Sequence, residues 1–545
     1  MRFASPAAGK GYQAADAGIQ PSVLLERPLA VETGEVFTLP RRPRLRRRVP
    51  IIAALVALAL HLGGNPHYGF FRDELYFIVC GLHPAAGYVD QPSLVPLLAA
   101  GSQVFGHSLF ALRALPAIFS ALATYVTCVF AYDLGGEVFA IALAALLAIV
   151  SPVLMAFGAR FSPDTIETAA WPLMALLVWR IAKGANPRLW IAVGLVAAVA
   201  AWSKYSVAFF AFALIAGLLL TPQRRILRSW WFAAGAALAL ALCVPNVVWQ
   251  WQHQWPILQL LHNDYDKFLL KWPPFPLQQI MIMSPLLSIA WLAGLGWLLV
   301  DRQLRFLGLA YLLLIAMMWG LDAKNYYPAP VYPYLIAAGA VVIERWTGRV
   351  HAWRAAIVAI VVLCAIPSTP FVLPILPMRS FIAYQEFLGK AFHINFHVEK
   401  AGNNLPIQYY GDMTGWPEME QQVAAVYGGL PAADKARAAI YAHNFGEASA
   451  IDYYGAGTGL PAAISGNNTY WIWGPHGYSG AVVVDLNGKE LLPYFRSVKR
   501  VATYYYPLAM PYENNLPIWI LRDPIRPLPA VWPKLKDYSY AFGGL

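Results

Sequence analysis

Between residues 50 and 377 the chain is a succession of long apolar runs separated by short polar turns, a pattern that soluble cores do not use. Runs approaching the ~20 residues of a membrane-spanning helix fall at 50–64, 108–131, 138–157, 166–182, 230–248, 280–300, 306–321, 328–343 and 355–377. The stretch 189–220 is different, because its 32 residues would make a helix of about 48 Å. That is too long for a hydrocarbon core of ~30 Å without strong tilt. Lys204-Tyr205 sits at its midpoint, and the flanking loops Lys183–Arg188 and Arg224–Arg228 are both basic. Both loops therefore read as cytoplasmic, an even number of crossings separates them, and two short spans turn at Ser203-Lys204-Tyr205. The count becomes about eleven. Composition agrees, with 59% hydrophobic and 13% charged residues against about 45–50% and about 25% in soluble domains. A cytosolic enzyme, a disordered chain and a nucleic-acid binder of ordinary composition are thereby excluded.

The formal net charge of +11 invites a search for an acidic partner, but six of the positive charges are arginines packed into residues 41–48, directly before the first apolar run. They read as a cytoplasmic topology signal at the end of a disordered basic cytoplasmic tail, 1–49, whose residues 1–40 are Ala-, Gly- and Pro-rich without periodicity. Arg302, Arg305, Arg345, Arg349 and Arg354 then fall on the inner side, and 65–107, 158–165, 249–279 and 322–327 on the outer side. The turn at 132–137 carries no Lys or Arg. After residue 377 no span remains. Strands are expected at 438–442, near Ala463, at 482–485, 498–505 and 518–521, with a helix from Gly446 through Tyr454. The fold class is thus a polytopic α-helical membrane protein, 50–377, with a soluble extracytoplasmic α/β domain, 378–545. Cys80, Cys128, Cys243 and Cys364 show no metal or disulfide spacing and are expected to be inert thiols. Asn467-Asn468-Thr469 fits a glycosylation acceptor pattern.

The distribution of charge in the body points to the chemistry. The first outer segment carries Arg72-Asp73-Glu74 and Asp90-Gln91-Pro92-Ser93, the second Arg160 and Asp164; other outer ends contribute Lys204-Tyr205 and Asp322, Lys324, Tyr326 and Tyr327. Carboxylates, cations and aromatics converge on one face, while the other holds mostly topogenic arginines. Charges near the hydrocarbon boundary are costly and mark function. Asp73-Glu74, just beyond the first span, suits a general base taking a proton from a hydroxyl. Arg72, Lys204 and Lys324 suit an anionic phosphate, and Tyr205 and Tyr327 offer stacking surfaces. Asp90 and Gln91 suit positioning of an acceptor; Asp90 is the one candidate for a divalent cation, and no cofactor is otherwise required. His67, His83 and His107 match no metal-ligand spacing.

The segments FFRDELYF and GYVDQPSL, followed in order by RFSPDTIE, WSKY and DAKNYYPAPVYP, resemble the GT-C superfamily of lipid-dependent glycosyltransferases. They are similar to bacterial family 39 enzymes of the protein O-mannosyltransferase and aminoarabinose transferase type, across residues 50–345. The resemblance implies transfer of a sugar from a polyprenyl-phosphate carrier to an acceptor hydroxyl, with inversion, at the outer face of a bacterial inner membrane. It implies Asp73 as the base, Glu74 as its support or as the residue orienting the helix, and Asp164 as positioning acceptor or donor. Lys204 and Lys324 would hold the carrier phosphate and stabilise the leaving group. The acceptor would be a protein, lipid A or a polysaccharide. Two positions depart from the pattern. Asp90-Gln91 stands where the aminoarabinose branch has Glu-Lys, which removes a phosphate-binding lysine, and Ser93 replaces the second proline of a Pro-Pro pair.

Two other classes compete. A transporter or flippase of a lipid-linked or anionic substrate would place charges near the bilayer midplane and show internal repeats, and the chain shows neither. A sensor anchored by its spans would not need eleven of them.

Overall fold

The ends of the expected apolar runs are set by Ser, Pro and Gly. The computed structural model describes residues 44–264, 273–394, 396 and 406–540. Ser108 caps helix Leu109–Asp133 by accepting from the Ala111 N–H at 3.1 Å, and Ser229 caps Trp230–Gln252 in the same way, satisfying donors that a helix start leaves unpaired. Pro152 splits the run 138–157 into Val138–Val150 and Pro152–Ala159, bent by 63°. Pro285 separates Phe275–Ile282 from Pro285–Val300 at 114°, since proline suits the first turn of a helix and disrupts hydrogen bonding in its interior. The long run breaks into Leu189–Ser203 and Val207–Leu219, with Lys204 in extended backbone between them. The first helix starts at Arg44, so the last residues of the expected tail are helical; the remainder of that tail lies outside the described residues.

Among the described residues, Leu109–Asp133, Trp230–Gln252 and His351–Val372 are each long and apolar enough to cross a membrane, and the bent pairs raise the number to six. Arg48–Gly64, Leu189–Ser203 and Arg305–Gly320 are shorter apolar helices. Helix pairs meet at small residues, as helices in lipid do. Pro285–Val300 and Tyr332–Thr347 cross where a Cβ on Gly339 would collide with the Ala290 carbonyl oxygen and one on Gly294 with that of Leu335.

Acidic groups are not confined to one face, contrary to expectation. At the other ends of the helices Asp133 pairs with Arg180. Glu344 accepts from the N–H groups of Glu137 and Ala140 at 2.7 and 2.9 Å, capping Val138–Val150 from a neighbouring helix. These contacts close the turn at 132–137 that lacks Lys and Arg. They are structural: anions at a helix N-terminus satisfy its free N–H groups.

Within residues 65–107 the chain folds into two short helices, Arg72–Leu82 and Leu94–Gly101. The carboxyl-terminal part forms one five-stranded sheet of β1 (Ala438–Ala442), β2 (Ala463–Ile464), β3 (Val482–Leu486), β4 (Phe495–Tyr504) and β5 (Leu516–Pro524), in the order β2-β1-β3-β5-β4. β1 is parallel to β2 and β3, and β5 runs antiparallel to β3 and β4. Every residue of β1 and β3 is buried, as parallel strands covered on both faces are. Helix Phe445–Tyr454 follows β1, its start capped by Asn444, whose Oδ1 accepts from Gly446 and Glu447. Helices Met378–Phe392 and Trp416–Gly428 had no expectation attached. Asn467 is buried and hydrogen-bonded, so the glycosylation pattern is not an exposed acceptor. Cys80 and Cys128 are buried and Cys243 and Cys364 half-buried, all as free thiols.

The sheet region is not a tethered module. Tyr76, Phe77 and Phe161 of the helical body share one apolar core with Trp416, Ile440, Phe445 and Tyr470, and the Tyr76 and Phe445 rings lie 4.6 Å apart.

Because the Gly339 contact is backbone to backbone, Gly339→Val is expected to cost about 1–3 kcal/mol, the usual penalty of overpacking. A thermal melt of the purified protein in detergent reads this directly, with Gly296→Val, a position with open space around it, as the control.

Candidate active site

Helix Arg72–Leu82 begins where its own third residue can cap it. Glu74 Oε2 accepts from the Phe71 N–H at 2.8 Å, the return half of a capping arrangement. The same carboxylate is fully buried against Arg113, with Nη2–Oε2 at 2.8 Å and Nε–Oε1 at 3.1 Å, and Oε1 also accepts from the Phe161 N–H at 3.0 Å. Arg113 spends its remaining donors on the carbonyls of Asn65, His67 and Gly69. All five guanidinium N–H groups are thereby used, which is what a buried ion pair needs to offset its desolvation. Glu74 accordingly lies off the cavity described next and holds its neighbours in position.

One residue earlier on the helix, Asp73 turns the other way. Its side chain is 35% exposed, and Arg72 Nε donates to Oδ1 at 3.1 Å. It opens into a cavity of about 370 Å³ that also receives Arg72, Asp90, Gln91, Asp164, Lys204, Tyr205, Lys324 and Tyr327. The structure therefore brings together every residue given a catalytic or binding role from the sequence except Glu74, while Asp322 and Ser93 lie off the cavity. Arg72 stacks over Phe445, 5.4 Å from the ring centre, and approaches Asp412 at 3.7 Å. Lys204 Nζ donates to Asp164 Oδ1 at 2.6 Å and sits 4.0 Å from the Tyr327 ring centre. Ser203 Oγ donates to the Pro163 carbonyl at 2.7 Å, which locks the two helix ends that carry this pair. Tyr205 accepts from Gln250 Nε2 at 3.1 Å.

Asp90 stands in the loop between the two short helices. Its Oδ1 lies 3.0 Å from the Tyr76 hydroxyl and its Oδ2 accepts from Tyr540 at 3.2 Å. Burial pushes its pKa up to about 7, against the pull of these hydrogen bonds. The loop is closed by the Tyr88 N–H donating to the Gln91 carbonyl at 2.9 Å and by Ser93, whose Oγ donates to the Ala85 carbonyl at 2.6 Å. The serine found where a proline was expected thus supplies a donor that proline lacks.

No group of three or more His, Cys, Asp or Glu side chains converges as a metal site among the described residues. His67 bonds the Gly64 carbonyl, His83 stacks on Trp473 and His107 on Tyr453, so the three histidines hold separate local partners.

Arg160, noted in the sequence without a role, lies over Phe71 at 3.9 Å and Tyr409 at 5.0 Å from the ring centres. Gln408, Tyr409, Phe445 and Tyr540, which had no expectation, reach the cavity from the carboxyl-terminal part. Arg113 could have been flagged as a lone charge inside the apolar run 108–131. Tyr409 and Tyr540 carry no comparable signal.

Removing the Arg113 side chain charge leaves Glu74 buried and unpaired, so Arg113→Met is expected to destabilise the protein by about 3–5 kcal/mol. Thermal unfolding in detergent checks this, and Arg113→Met with Glu74→Gln together should recover part of the loss.

The family model described as dolichyl-phosphate-mannose-protein mannosyltransferase matches residues 90–249, a stretch that includes Asp90, Asp164 and Lys204 and begins after Asp73. A comparison with curated proteins finds no match. Among solved structures, ArnT from Cupriavidus metallidurans in the apo state superposes with a TM-score of 0.56 at 15% identity, covering 87% of this chain and 97% of that one. The same protein bound to undecaprenyl phosphate gives 0.51 at 13% identity, with the same coverage of both chains. The chain thus has the fold of these two structures over 87% of its length and matches the mannosyltransferase sequence model across residues 90–249.

Proposed function

We propose that the chain is an integral-membrane glycosyltransferase that moves a sugar from a polyprenyl-phosphate carrier to an acceptor hydroxyl on the outer face of a bacterial inner membrane, with Asp73 as general base. About eleven spans would place residues 378–545 outside and the amino terminus inside. The observation that carries this reading is the single cavity in which Asp73, the accessible carboxylate of its helix, meets Arg72, Arg160, Lys204 and Lys324. Paired carboxylate and cations at one site fit a reaction that takes a proton from a nucleophile and leaves a phosphate anion behind.

On this reading the acceptor oxygen attacks the sugar's anomeric carbon as its proton passes to Asp73. The bond from that carbon to the carrier phosphate breaks, and the polyprenyl phosphate departs with both bonding electrons. Lys204 and Lys324 hold that phosphate. Asp164 keeps Lys204 in place at 2.6 Å and yields part of the lysine's charge to the phosphate when the carrier binds. Arg72 fixes the direction of Asp73. The undecaprenyl phosphate of the ArnT complex supports a polyprenyl phosphate as the carrier and recommends it as the binding probe.

The transporter reading predicts uptake of substrate into sealed vesicles without a transfer product. The glycosyltransferase reading predicts product from a polyprenyl-phosphate sugar. Asp73→Asn should lower turnover by about 10²–10⁴-fold, the scale of a lost general base, with undecaprenyl phosphate binding retained. Lys204→Met should instead weaken that binding by roughly 10-fold or more, the worth of a hydrogen bond to a charged group. Wild-type turnover by Asp73→Asn would sink the assignment. Mass spectrometry of cell envelopes with and without the gene identifies the acceptor as protein, lipid A or polysaccharide.

No divalent cation enters this scheme. Both oxygens of Asp90 face tyrosine hydroxyls and the carrier phosphate is met by side-chain cations. Transfer is expected to continue at an unchanged rate in EDTA, measured on protein purified with chelator throughout.

A further inference from the structure

Residues 536–540 are held along their whole length. The Asp537 N–H donates to the Gly466 carbonyl at 2.9 Å, and the Asp537 carbonyl accepts from Asn468 at 2.8 Å. The Asn467 carboxamide donates to Asp537 Oδ2 and to the Ser539 carbonyl, both at 3.1 Å. On the side of the helical body, Lys536 Nζ donates to Gln259 Oε1 at 2.6 Å, Asn263 Nδ2 to the Tyr538 carbonyl at 2.9 Å and the Tyr540 N–H to Asp264 Oδ2 at 2.9 Å. The segment is a strap between helix Pro256–Asp264 and the end of β2.

What the strap delivers into the cavity is one side chain. Tyr540 donates its hydroxyl to Asp90 Oδ2 at 3.2 Å, presents its ring 6.0 Å from Lys324 Nζ, and meets Phe445 edge-on at 6.3 Å. Asp90 is therefore gripped from two sides. Tyr76, 14 residues away, faces Oδ1, and Tyr540, 450 residues away, faces Oδ2. A carboxylate offers about four acceptor positions, so two such contacts fix its plane and leave positions open for a hydroxyl entering from the cavity.

We propose that Tyr540 is a positioning residue of the transfer site. Carried by the strap 536–540, it holds the Asp90 carboxylate in the orientation that receives a substrate hydroxyl, and its ring closes the cavity beside Lys324. The carboxyl-terminal segment is thus part of the catalytic cavity. This rests on the glycosyl-transfer reading for its chemistry, and on the Asp90 contact for its geometry.

The test uses full-length protein in lipid nanodiscs, comparing wild type with Tyr540→Phe and Tyr540→Ala. Tyr540→Phe keeps the ring and loses the hydroxyl, so kcat should fall about 10-fold, the scale of one hydrogen bond to a charged group, while donor KM stays within about two-fold. Tyr540→Ala also opens the wall and should raise KM in addition. A residue that merely packs would lower folded yield and melting temperature in both variants without separating kcat from KM, and that outcome overturns the proposal. Hydrogen–deuterium exchange over the peptide 84–93 provides a readout independent of turnover. Exchange should quicken in both variants as Asp90 loses its outer anchor; unchanged exchange in both overturns the proposal. Should wild-type protein transfer no sugar from any polyprenyl-phosphate donor, the transfer reading fails, and exchange at 84–93 alone decides whether the strap holds Asp90.

Discussion

The buried pair of Glu74 and Arg113 is the constraint on which the site depends. Arg113 belongs to helix Leu109–Asp133, Glu74 to the first turn of helix Arg72–Leu82, and the carbonyls and amides they satisfy come from residues 65–71 and from Phe161. One ion pair therefore fixes the exit of the first helix, the start of the next and the approach to Asp164. Two charges removed from water cost several kcal/mol each. Here the cost is offset by a complete set of hydrogen bonds, so the arrangement has little freedom to relax. Asp73 follows from it geometrically: one step back along the helix turns its side chain by about 100°, out of that network and into the cavity.

The cavity itself is a place where charges are held near their opposites. Lys204 is seated on Asp164, and Arg72 lies between Asp73 and Asp412. Such pairing limits the cost of burial, and any anion entering the cavity would have to exchange with carboxylates already present. Aromatic faces do related work, since Arg160 rests on Phe71 and Tyr409, and Lys204 on Tyr327. Rings hold a cation without neutralising it, which keeps its charge available to an anion.

Much of this was legible in the sequence. The apolar runs gave the helices because spanning length and helix periodicity leave few alternatives, and the basic loops at 183–188 and 224–228 were enough to require a break at Lys204-Tyr205, where the helix indeed ends. Strands were placed within a few residues because β1 and β3 are short, apolar except for Asp485, and bounded by turn residues. Less legible were the two helices of the first outer segment, whose polar and aromatic residues mask their periodicity, and the helices Met378–Phe392 and Trp416–Gly428, whose amphipathic faces make sense only against the partners they cover. The expectation that acids lie on one face failed because Glu344 and Asp133 serve as a helix cap and a turn clasp, roles that composition cannot reveal.

The sequence alone determined that this chain has a helical membrane body, that an α/β sheet follows it, and that Asp73, Asp90, Asp164, Lys204 and Lys324 are the charges to watch. Periodicity, spacing and the cost of charge beside lipid are local properties that a linear reading can capture. Only the tertiary structure decided that Glu74 is spent on Arg113 while Asp73 faces the cavity, that Lys204 is paired with Asp164, and that Tyr409, Phe445 and Tyr540 arrive from the far end of the chain. Those facts depend on which direction a side chain points and on contacts between residues hundreds of positions apart. Neither is written in any single segment, because each is set by how all of them pack.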